Sequence, residues 1–303
     1  MTRTARIGLA TAAEFPDLDE DGPALMRALA DDGLKGEPAV WSDPRVDWSG
    51  YDLVVVRSTW DYHLRRDEFV AWAHRVAGTT RLANPADVLA WNTDKTYLHT
   101  LQDAGLPVVP TQWLVPGDNL TVPTEGEYVV KPAVSAGSND TNRYVAGDHD
   151  ELAVAHVTSL LADGRTVMVQ PYLAQVDTYG ETALLYFDGR FSHAIRKGPL
   201  LTPAMGAVDG AYRPETITVR EPSATEHAAA EQVLDALAEI SPARRDDLVY
   251  ARVDLVPGPD GAPVLLELEL AEPSMFLIHD GSTGTEAAPR FAAAIAAALG
   301  GVA

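Results

Sequence analysis

The sequence of 303 residues contains no cysteine, which excludes disulfide bonds, a thiol nucleophile and a thiolate zinc site. It also contains no apolar run long enough to cross a membrane. Its first apolar stretch, Ile7 to Ala10, has the pattern of a short strand rather than of a signal peptide. We therefore expect a cytoplasmic protein that does not act at a membrane.

Positive charge is scarce in this chain. Lys and Arg together number 23 against 44 Asp and Glu, and the formal net charge is −21. Such a chain has no basic surface for nucleic acid or for an anionic membrane. Only four of its cations are lysines (Lys35, Lys95, Lys131 and Lys197), so each of these is a candidate for a role that arginine cannot fill.

Several common catalytic motifs are also absent. No G-x-G-x-x-G follows the first strand, and there is no G-x-x-x-x-G-K-[ST], which argues against a dinucleotide-binding fold and a Walker-type NTPase. G-x-S-x-G and H-E-x-x-H are missing, and the eight histidines show no ligand spacing. Each histidine is therefore expected to be structural or solvated rather than a metal ligand.

The stretch from Val249 to Leu270 has the pattern of a β-hairpin. Apolar and polar residues alternate on both sides of a loop rich in Pro and Gly. The apolar face would consist of Val249, Ala251, Val253, Leu255, Leu266, Leu268 and Leu270. Strand pairing would bring Arg252, Asp254, Glu267 and Glu269 together on the other face, with Tyr250 beside them.

Three neighbouring carboxylates repel one another, and their burial is costly without a counter-charge. Mg²⁺ would resolve this repulsion, because it prefers carboxylate and phosphate oxygens. The alternative is a solvated hairpin face on which Arg252 bridges the acids, and the hairpin alone does not decide between the two.

Residues 5 to 90 alternate strand and helix patterns, which predicts a small open parallel sheet. Arg57 to Tyr62 follow the buried strand Leu53–Val56, at the edge where ligands of such sheets bind. Arg57, with Trp60, Asp61 and Tyr62 nearby, is therefore a candidate for substrate recognition. The alternative is a loop packed by its aromatic rings, with Arg57 paired to a local acid.

Two of the lysines occupy unusual positions in the central part of the chain. Lys95 falls at an expected helix start, where a cation opposes the helix dipole. Lys131 ends the strand Tyr128–Pro132 and precedes a loop that contains Ser135, Gly137 and Ser138. Small residues with hydroxyl and free N–H groups suit a phosphate cradle, although an ordinary Gly/Ser hairpin loop is the alternative.

The next strand, Val167–Gln170, leads into an extended segment that could offer backbone groups to an adenine edge. This segment is Gln170, Pro171, Tyr172 and Leu173. Asp177 could accept hydrogen bonds from ribose hydroxyls, or it could be an ordinary surface acid. A hairpin with an Asp188-Gly189 turn then delivers Lys197 at its end, for which the alternative is a basic patch on an edge strand.

Taken in order, these pieces resemble the ATP-grasp superfamily, in the branch of glutathione synthetase and D-alanine–D-alanine ligase. The resemblance covers roughly residues 84 to 300 and rests on Lys95, Lys131, the Q-P-Y-L segment, and R-x-D followed by E-x-E. It implies an α/β chain with α+β subdomains: an ATP-grasp fold behind an N-terminal Rossmann-like domain with a parallel sheet. The implied domains are 1–90 for substrate, 91–170 with the phosphate loop and 171–303 with the metal site.

Carried over to this chain, the resemblance assigns a role to each candidate residue. Lys95 and Lys131 would bind the α- and β-phosphates of ATP, and the loop with Ser135, Gly137 and Ser138 would close over the γ-phosphate. Gln170, Pro171, Tyr172 and Leu173 would hold adenine, with Asp177 on the ribose. Lys197 and Arg252 would stabilise the transferred phosphoryl group, and Asp254, Glu267 and Glu269 would hold Mg²⁺. The family usually has Asn where this chain has Glu269.

Within that branch, R-S-T-W-D-Y after an N-terminal strand and H-A-I-R-K-G-P around Lys197 look most like the D-cycloserine synthetases. That resemblance implies an ADP-forming ligase that activates the carboxylate of O-ureido-D-serine and closes a ring, and, by analogy, a homodimer. Two alternatives stay open: a ligase that joins two separate amino acids, and a non-catalytic nucleotide-binding module. The module would be expected to lose some phosphate or metal residues, whereas this chain keeps all of them.

Overall fold

The computed structural model describes residues 3–203, 215–281 and 286–300, and its N-terminal part is a four-stranded parallel sheet. The strands are β1 (Arg6–Thr11), β2 (Lys35–Val40), β3 (Leu53–Val56) and β4 (Leu82–Ala83), in the order β2-β1-β3-β4. The helices α1 (Gly22–Asp31), α2 (Arg66–Ala77) and α3 (Ala86–Asn92) belong to this part. The parallel sheet expected from the continuous apolar run of β3 is confirmed.

A second sheet, antiparallel and four-stranded, follows in the chain. It consists of β5 (Gln112–Leu114), β6 (Glu127–Pro132), β7 (Asn142–Val145) and β8 (Val167–Pro171), in the order β5-β8-β6-β7. The helix α4 (Tyr97–Asp103) precedes it, and α5 (Asp150–Ala162) packs Val157 and Leu160 against its apolar face. The helix expected to start at Lys95 starts two residues later, since α4 begins at Tyr97 with Thr96 as its N-cap.

The third sheet is antiparallel and has five strands. They are β9 (Glu181–Phe187), β10 (Arg190–Lys197), β11 (Ile217–Arg220), β12 (Tyr250–Pro257) and β13 (Pro263–Glu269), in the order β11-β10-β9-β12-β13. A four-residue helix, α6 (Val176–Tyr179), precedes β9. Asp188 and Gly189 both have positive φ, which is the geometry of the tight hairpin turn expected between β9 and β10.

Two helices cover the faces of this third sheet. The helix α7 (Ala224–Ile240) starts with a capping box formed by Ser223 and Glu226 and packs Val233, Leu234 and Leu237 against one face. The helix α8 (Ala287–Gly300) packs on the other face and on α1, so it joins the third sheet to the N-terminal part. Lys197 is 9% exposed on a strand that has neighbours on both sides, so the alternative of a basic patch on an edge strand is wrong.

The expected metal hairpin is present as β12 and β13, with one correction to its register. Arg252 pairs with Glu269 and Asp254 with Glu267, as the alternation predicts. A β-bulge then shifts the register, so that Leu255 faces Leu265. Leu265 is therefore the buried core residue, and Leu266, expected on the apolar face, is partly exposed instead.

Two buried asparagines attach the segment before the second sheet to this hairpin. The side chain of Asn84 donates to the carbonyls of Tyr250 and Leu270 at 2.9 and 2.8 Å. Asn92 donates to the carbonyl of Leu268 at 2.8 Å and accepts from the N–H of Leu270. These bonds hold the hairpin against the N-terminal part. Within the described ranges, no helix is both long and apolar enough to span a membrane.

Candidate active site between the two antiparallel sheets

A cavity of about 240 Å³ lies between the second and third sheets and brings together most of the residues that the sequence singled out. The predicted residues that line it are Lys95, Lys131, Ser135, Gly137, Ser138, Gln170, Pro171, Tyr172, Leu173, Lys197, Arg252, Glu267 and Glu269. Trp60 from the N-terminal part and Leu266 also line it. The bulge in β13 explains Leu266, since it turns this side chain away from the core.

Asp254 is at the centre of a buried ion network at the third sheet. Its carboxylate accepts from Lys197 Nζ at 2.8 Å and from Arg252 Nε and Nη2, each at 2.9 Å. Burial would raise the pKa of Asp254, but Arg252 and Lys197 lower it well below its usual range. Asp254 is 1% exposed and does not line the cavity itself. Its charge holds the two cations at the cavity wall.

Glu267 and Glu269 are each bonded to a cation at the cavity wall. Glu267 lies 3.1 Å from Lys95 Nζ, and Glu269 contacts the Arg252 guanidinium. Burial would raise the pKa of Glu267, but Lys95 and Lys131 keep it below its usual value. Burial raises the pKa of Glu269 to about 7 in spite of Arg252. The two acids of the E-x-E motif therefore differ in their electrostatic surroundings.

Lys131 differs from the other cations of the cavity. It is 8% exposed, and its ammonium group has no hydrogen bond or ion pair to any described residue. Burial lowers its pKa, and the repulsion of Lys95 acts in the same direction. A buried, unpaired cation that faces a cavity is a site for an anion.

The loop after Lys131 forms one wall beside this cation. Lys95 Nζ donates to the carbonyl of Ser135 at 2.8 Å, which ties the loop to the segment before α4. Gly137 and Ser138 both have φ near +60°, so the chain turns sharply there, and the Asn139 N–H donates to the carbonyl of Ala136 within the loop. The phosphate role of this loop stays a prediction.

The expected adenine segment lines the cavity at the end of β8, the strand that pairs with β6. Gln170 is held by a bond of 2.8 Å to Thr111 Oγ1, and Tyr172 N–H donates to the carbonyl of Glu127 at 2.8 Å. Asp177 does not line the cavity. Its carboxylate accepts from the Tyr172 hydroxyl and from Arg143, whose guanidinium lies 3.5 Å from the centre of the Tyr172 ring. The ribose role of Asp177 stays a prediction.

Of the expected substrate segment, Trp60 lines the cavity, whereas Arg57, Asp61 and Tyr62 do not. Arg57 is 1% exposed, lies 3.6 Å from Asp19 and donates to the carbonyl of Pro273 at 3.2 Å. This placement corresponds to the alternative in which Arg57 pairs with a local acid. The carboxylate of Asp61 accepts from Trp41 and Arg65. Tyr62 is buried, and its hydroxyl is 3.4 Å from the carbonyl of the cavity residue Ser135.

The three expected metal ligands do not converge on one point in the described part of the chain, which contains no group of three or more Asp, Glu or His side chains arranged to hold a metal ion. Asp254, Glu267 and Glu269 each contact Arg or Lys instead. Mg²⁺ that arrives with a nucleotide needs only one or two protein carboxylates, because phosphates and water supply the other ligands. Glu267 and Glu269 line the cavity and fit this requirement.

Three acids of the cavity, Glu181, Glu215 and Glu272, were not predicted from the sequence. Glu181 opens β9 and contacts Lys197, and burial raises its pKa to about 7. Counting from the Asp188-Gly189 turn pairs Lys197 with Gly180, but a bulge between Phe191 and His193 shifts the register to Glu181. Glu272 follows β13, lines the cavity and is 9% exposed. No sequence signal places its side chain there, because its loop has no regular period.

The chain is similar to known proteins both in sequence and in structure. A family profile described as the N-terminal domain of the D-cycloserine synthetase DcsG matches residues 7–84. The cycloserine biosynthesis protein DcsG of Streptomyces lavendulae is 39% identical over 304 residues, which cover 97% of this chain and 98% of that protein. A crystal structure of D-cycloserine synthetase DcsG superposes with a TM-score of 0.85 at 38% identity, over 97% of this chain and 100% of that one.

A more distant structure has the same fold. The D-alanine–D-alanine ligase of Bacillus anthracis, complexed with ATP, gives a TM-score of 0.65 at 16% identity, over 98% of this chain and 97% of that one. These structural matches confirm the expected mixed α/β fold with its parallel N-terminal sheet.

Proposed function

The chain belongs to the D-cycloserine synthetase family of ATP-grasp ligases, and from this premise we propose that it cyclises O-ureido-D-serine to D-cycloserine. As a member of the family it is an ATP-dependent ligase that joins a carboxylate to an amine. The cavity supports the same activity, because it combines four buried cations with acids that can hold nucleotide-bound Mg²⁺. The observation that carries the proposal is Lys131, a buried cation that lacks an anion.

The reaction has two bond-forming steps. A carboxylate oxygen of the substrate attacks the γ-phosphorus of ATP, ADP leaves, and an acyl phosphate forms. The nitrogen bound to the side-chain oxygen then attacks the acyl carbon, loses a proton and expels phosphate. The carbamoyl group on that nitrogen must finally pass to water, as carbon dioxide and ammonia, for the product to be cycloserine.

The residues of the cavity suit this chemistry, which depends on positioning and charge neutralisation more than on a covalent nucleophile. Lys95 and Lys131 would bind the α- and β-phosphates. Lys197 and Arg252 would stabilise the transferred phosphoryl group, since Asp254 already holds both cations at the wall. The loop with Ser138 would exclude the water that hydrolyses an acyl phosphate.

Glu267 and Glu269, supported by Asp254, would hold Mg²⁺ together with the nucleotide phosphates. When bound, the metal would neutralise the charge that builds up on the phosphoryl oxygens. Glu267 and Glu269 would then exchange the cations that they contact in this structure for the metal. Those cations would then be free to turn toward the phosphates.

ADP release with Mg-ATP tests the activity directly. The purified protein is incubated with O-ureido-D-serine and, separately, with single amino acids and pairs of amino acids, and each product is identified by mass spectrometry. ADP with the ureido compound alone and a product of cycloserine mass support the cyclo-ligase. ADP with pairs of amino acids and a dipeptide mass would replace it with an intermolecular ligase. Tight ATP binding without ADP release from any substrate would favour the non-catalytic module.

The homodimer and the cytoplasmic location also stay predictions. The homodimer rests on analogy with relatives, and light scattering of the purified protein would measure its mass directly. Twice the chain mass of 32.5 kDa is the expected result.

A further inference from the structure

Two buried ionisable side chains of the cavity make no hydrogen bond or ion pair to any described residue. One is Lys131, to which the proposed function assigns phosphate. The other is Glu272, which is 9% exposed and whose carboxylate makes no hydrogen bond or ion pair within the described ranges. Of the other cavity acids, Glu181, Glu267 and Glu269 each touch a cation, and Glu215 is less buried than Glu272. Lys131 and Glu272 are therefore the buried cation and the buried acid of the cavity that bond no described residue, although Lys95 and Arg252 lie near enough to Glu272 to favour its ionised form.

The loop that carries Glu272 is fixed through its backbone. Trp60 Nε1 donates to the carbonyl of Glu272 at 3.0 Å, and Arg57 Nη1 donates to the carbonyl of Pro273 at 3.2 Å. The next carbonyl along the chain accepts from Arg252 at 3.1 Å. The carbonyls of three successive residues thus accept hydrogen bonds from side chains of the N-terminal part and of β12. These bonds position the Glu272 carboxylate before any ligand binds.

An isolated buried carboxylate is unfavourable unless a cation joins it. Burial, together with the charge of Glu269, raises the pKa of Glu272 to about 8. The indole of Trp60 lines the cavity next to the backbone of Glu272. A buried carboxylate that lines a cavity suits an alkylammonium group, because the acid can pair with its charge through a charge-assisted hydrogen bond.

We propose that Glu272 binds the ammonium group of the substrate and thereby selects amino acids over the corresponding acids that lack an amine. The carboxylate to be activated would then lie toward Arg252, which holds the same loop. This inference rests on the proposed function for the carboxylate ligase, but it does not depend on ring closure.

The test compares O-ureido-D-serine with 3-(ureidooxy)propanoate, which lacks the amine but keeps the carboxylate and the ureido group. A hydrogen-bonded charge pair predicts that the wild type prefers the amine by roughly 10- to 150-fold in kcat/KM for ADP release. In Glu272→Gln, which keeps the side-chain shape, we expect this preference to fall to about threefold or less. The KM for ATP and the Mg²⁺ requirement should not change. Glu272→Asp keeps the charge and should retain part of the preference.

Three results would overturn the proposal. One is a wild type that uses both compounds equally well, a result that needs no variant and holds even if Glu272→Gln fails to fold. A second is a folded Glu272→Gln protein that keeps the wild-type preference. A third is a higher Mg²⁺ requirement or a higher KM for ATP with the preference intact, which would make Glu272 a part of the metal site.

The same assay separates this inference from the proposed function. If the wild type releases ADP with another amino acid but not with O-ureido-D-serine, cyclisation is refuted. The comparison is then made with that amino acid and its deaminated acid, and Glu272→Gln is read as before. If no amino acid of the panel supports ADP release, both the proposed function and the role of Glu272 are refuted.

Discussion

One face of the third sheet has two ends of opposite character. At one end Phe187 lies across the ladder from Tyr250, and both pack against Phe291 of α8 with ring centres 4.7 and 6.0 Å from it. At the other end of the same strands Glu181 and Asp254 are buried beside Lys197. The side chains alternate regularly along β9 and β12 at both ends. The alternation of side chains along a strand therefore determines which face of the sheet a residue occupies. The element next to that face determines whether the residue belongs to the apolar core or to the charged end.

The two ends also differ in how their burial is compensated. The apolar end gains free energy from the area that it removes from water. The charged end loses hydration energy, and its ion pairs recover only part of this loss. The unpaired Lys131 and Glu272 at the cavity increase that loss until a ligand binds. We infer that the apolar end stabilises the fold and that the charged end is maintained for ligand binding.

Phe187→Ala should produce the largest change in stability. Phe187 is 4% exposed and stacks on Phe291, so its loss leaves a cavity and should lower the free energy of unfolding by about 3–5 kcal/mol. Urea denaturation measures this change. The kcat/KM of the remaining folded protein should stay within about twofold of the wild type. Phe191→Ala, on the same hairpin but 37% exposed, is the control and should cost much less.

Lys131→Met should have the reverse effect. Methionine keeps the length of the side chain but removes the charge, so ADP release should fall by at least about a hundredfold, as for other lost transition-state charges. The free energy of unfolding should stay equal or rise, because an unpaired buried cation is replaced by an apolar group. Lys35→Met, at an exposed lysine, is the control. Full activity in Lys131→Met would refute the assignment of this lysine to ATP.

Much of this arrangement could be predicted from the sequence, because alternation and lysine scarcity are local signals. Alternation along the hairpin Val249–Leu270 correctly predicts that Arg252, Asp254, Glu267 and Glu269 share one face. The wrong face predicted for Leu266 and the failure to predict Glu181 have the same kind of cause. In each of the two hairpins a β-bulge shifts the register by one residue, and the residue pattern does not show it.

The expected substrate residues Arg57, Asp61 and Tyr62 fail to line the cavity for a different reason. Arg57 was placed correctly at the end of β3, but its partner carbonyl, that of Pro273, is 216 residues further along the chain. Whether a side chain at a sheet edge reaches the cavity or supports a loop behind it depends on such long-range packing. The periodicity of the sequence does not show which distant segments pack together. For the same reason it could not predict that Glu272 lies at the cavity.

The last test measures how steeply the free energy of unfolding changes with pH, because the charged end contains buried acids and the apolar end does not. Burial raises the pKa of Glu181 and of Glu269 from 4.5 to about 7, so the folded protein binds protons between these values that the unfolded chain has released. Glu272, whose pKa burial raises to about 8, acts in the same direction, so the free energy of unfolding should fall as pH rises from about 4.5 to 8 and then level off. Asp21, whose pKa burial also raises to about 7, adds to the fall but lies outside the cavity.

A non-hydrolysable ATP analogue with Mg²⁺ separates these contributions. The bound metal favours the ionised form of Glu269 and of its neighbours, so the complex should show a shallower slope than the free protein in urea denaturation at pH 5.5 and pH 7.5. Asp21→Asn should reduce the slope by the same amount with and without the nucleotide, because Asp21 bonds the N–H of Leu277 rather than a cavity group. An unchanged slope in the complex would mean that the charged end is not where the metal and the nucleotide bind.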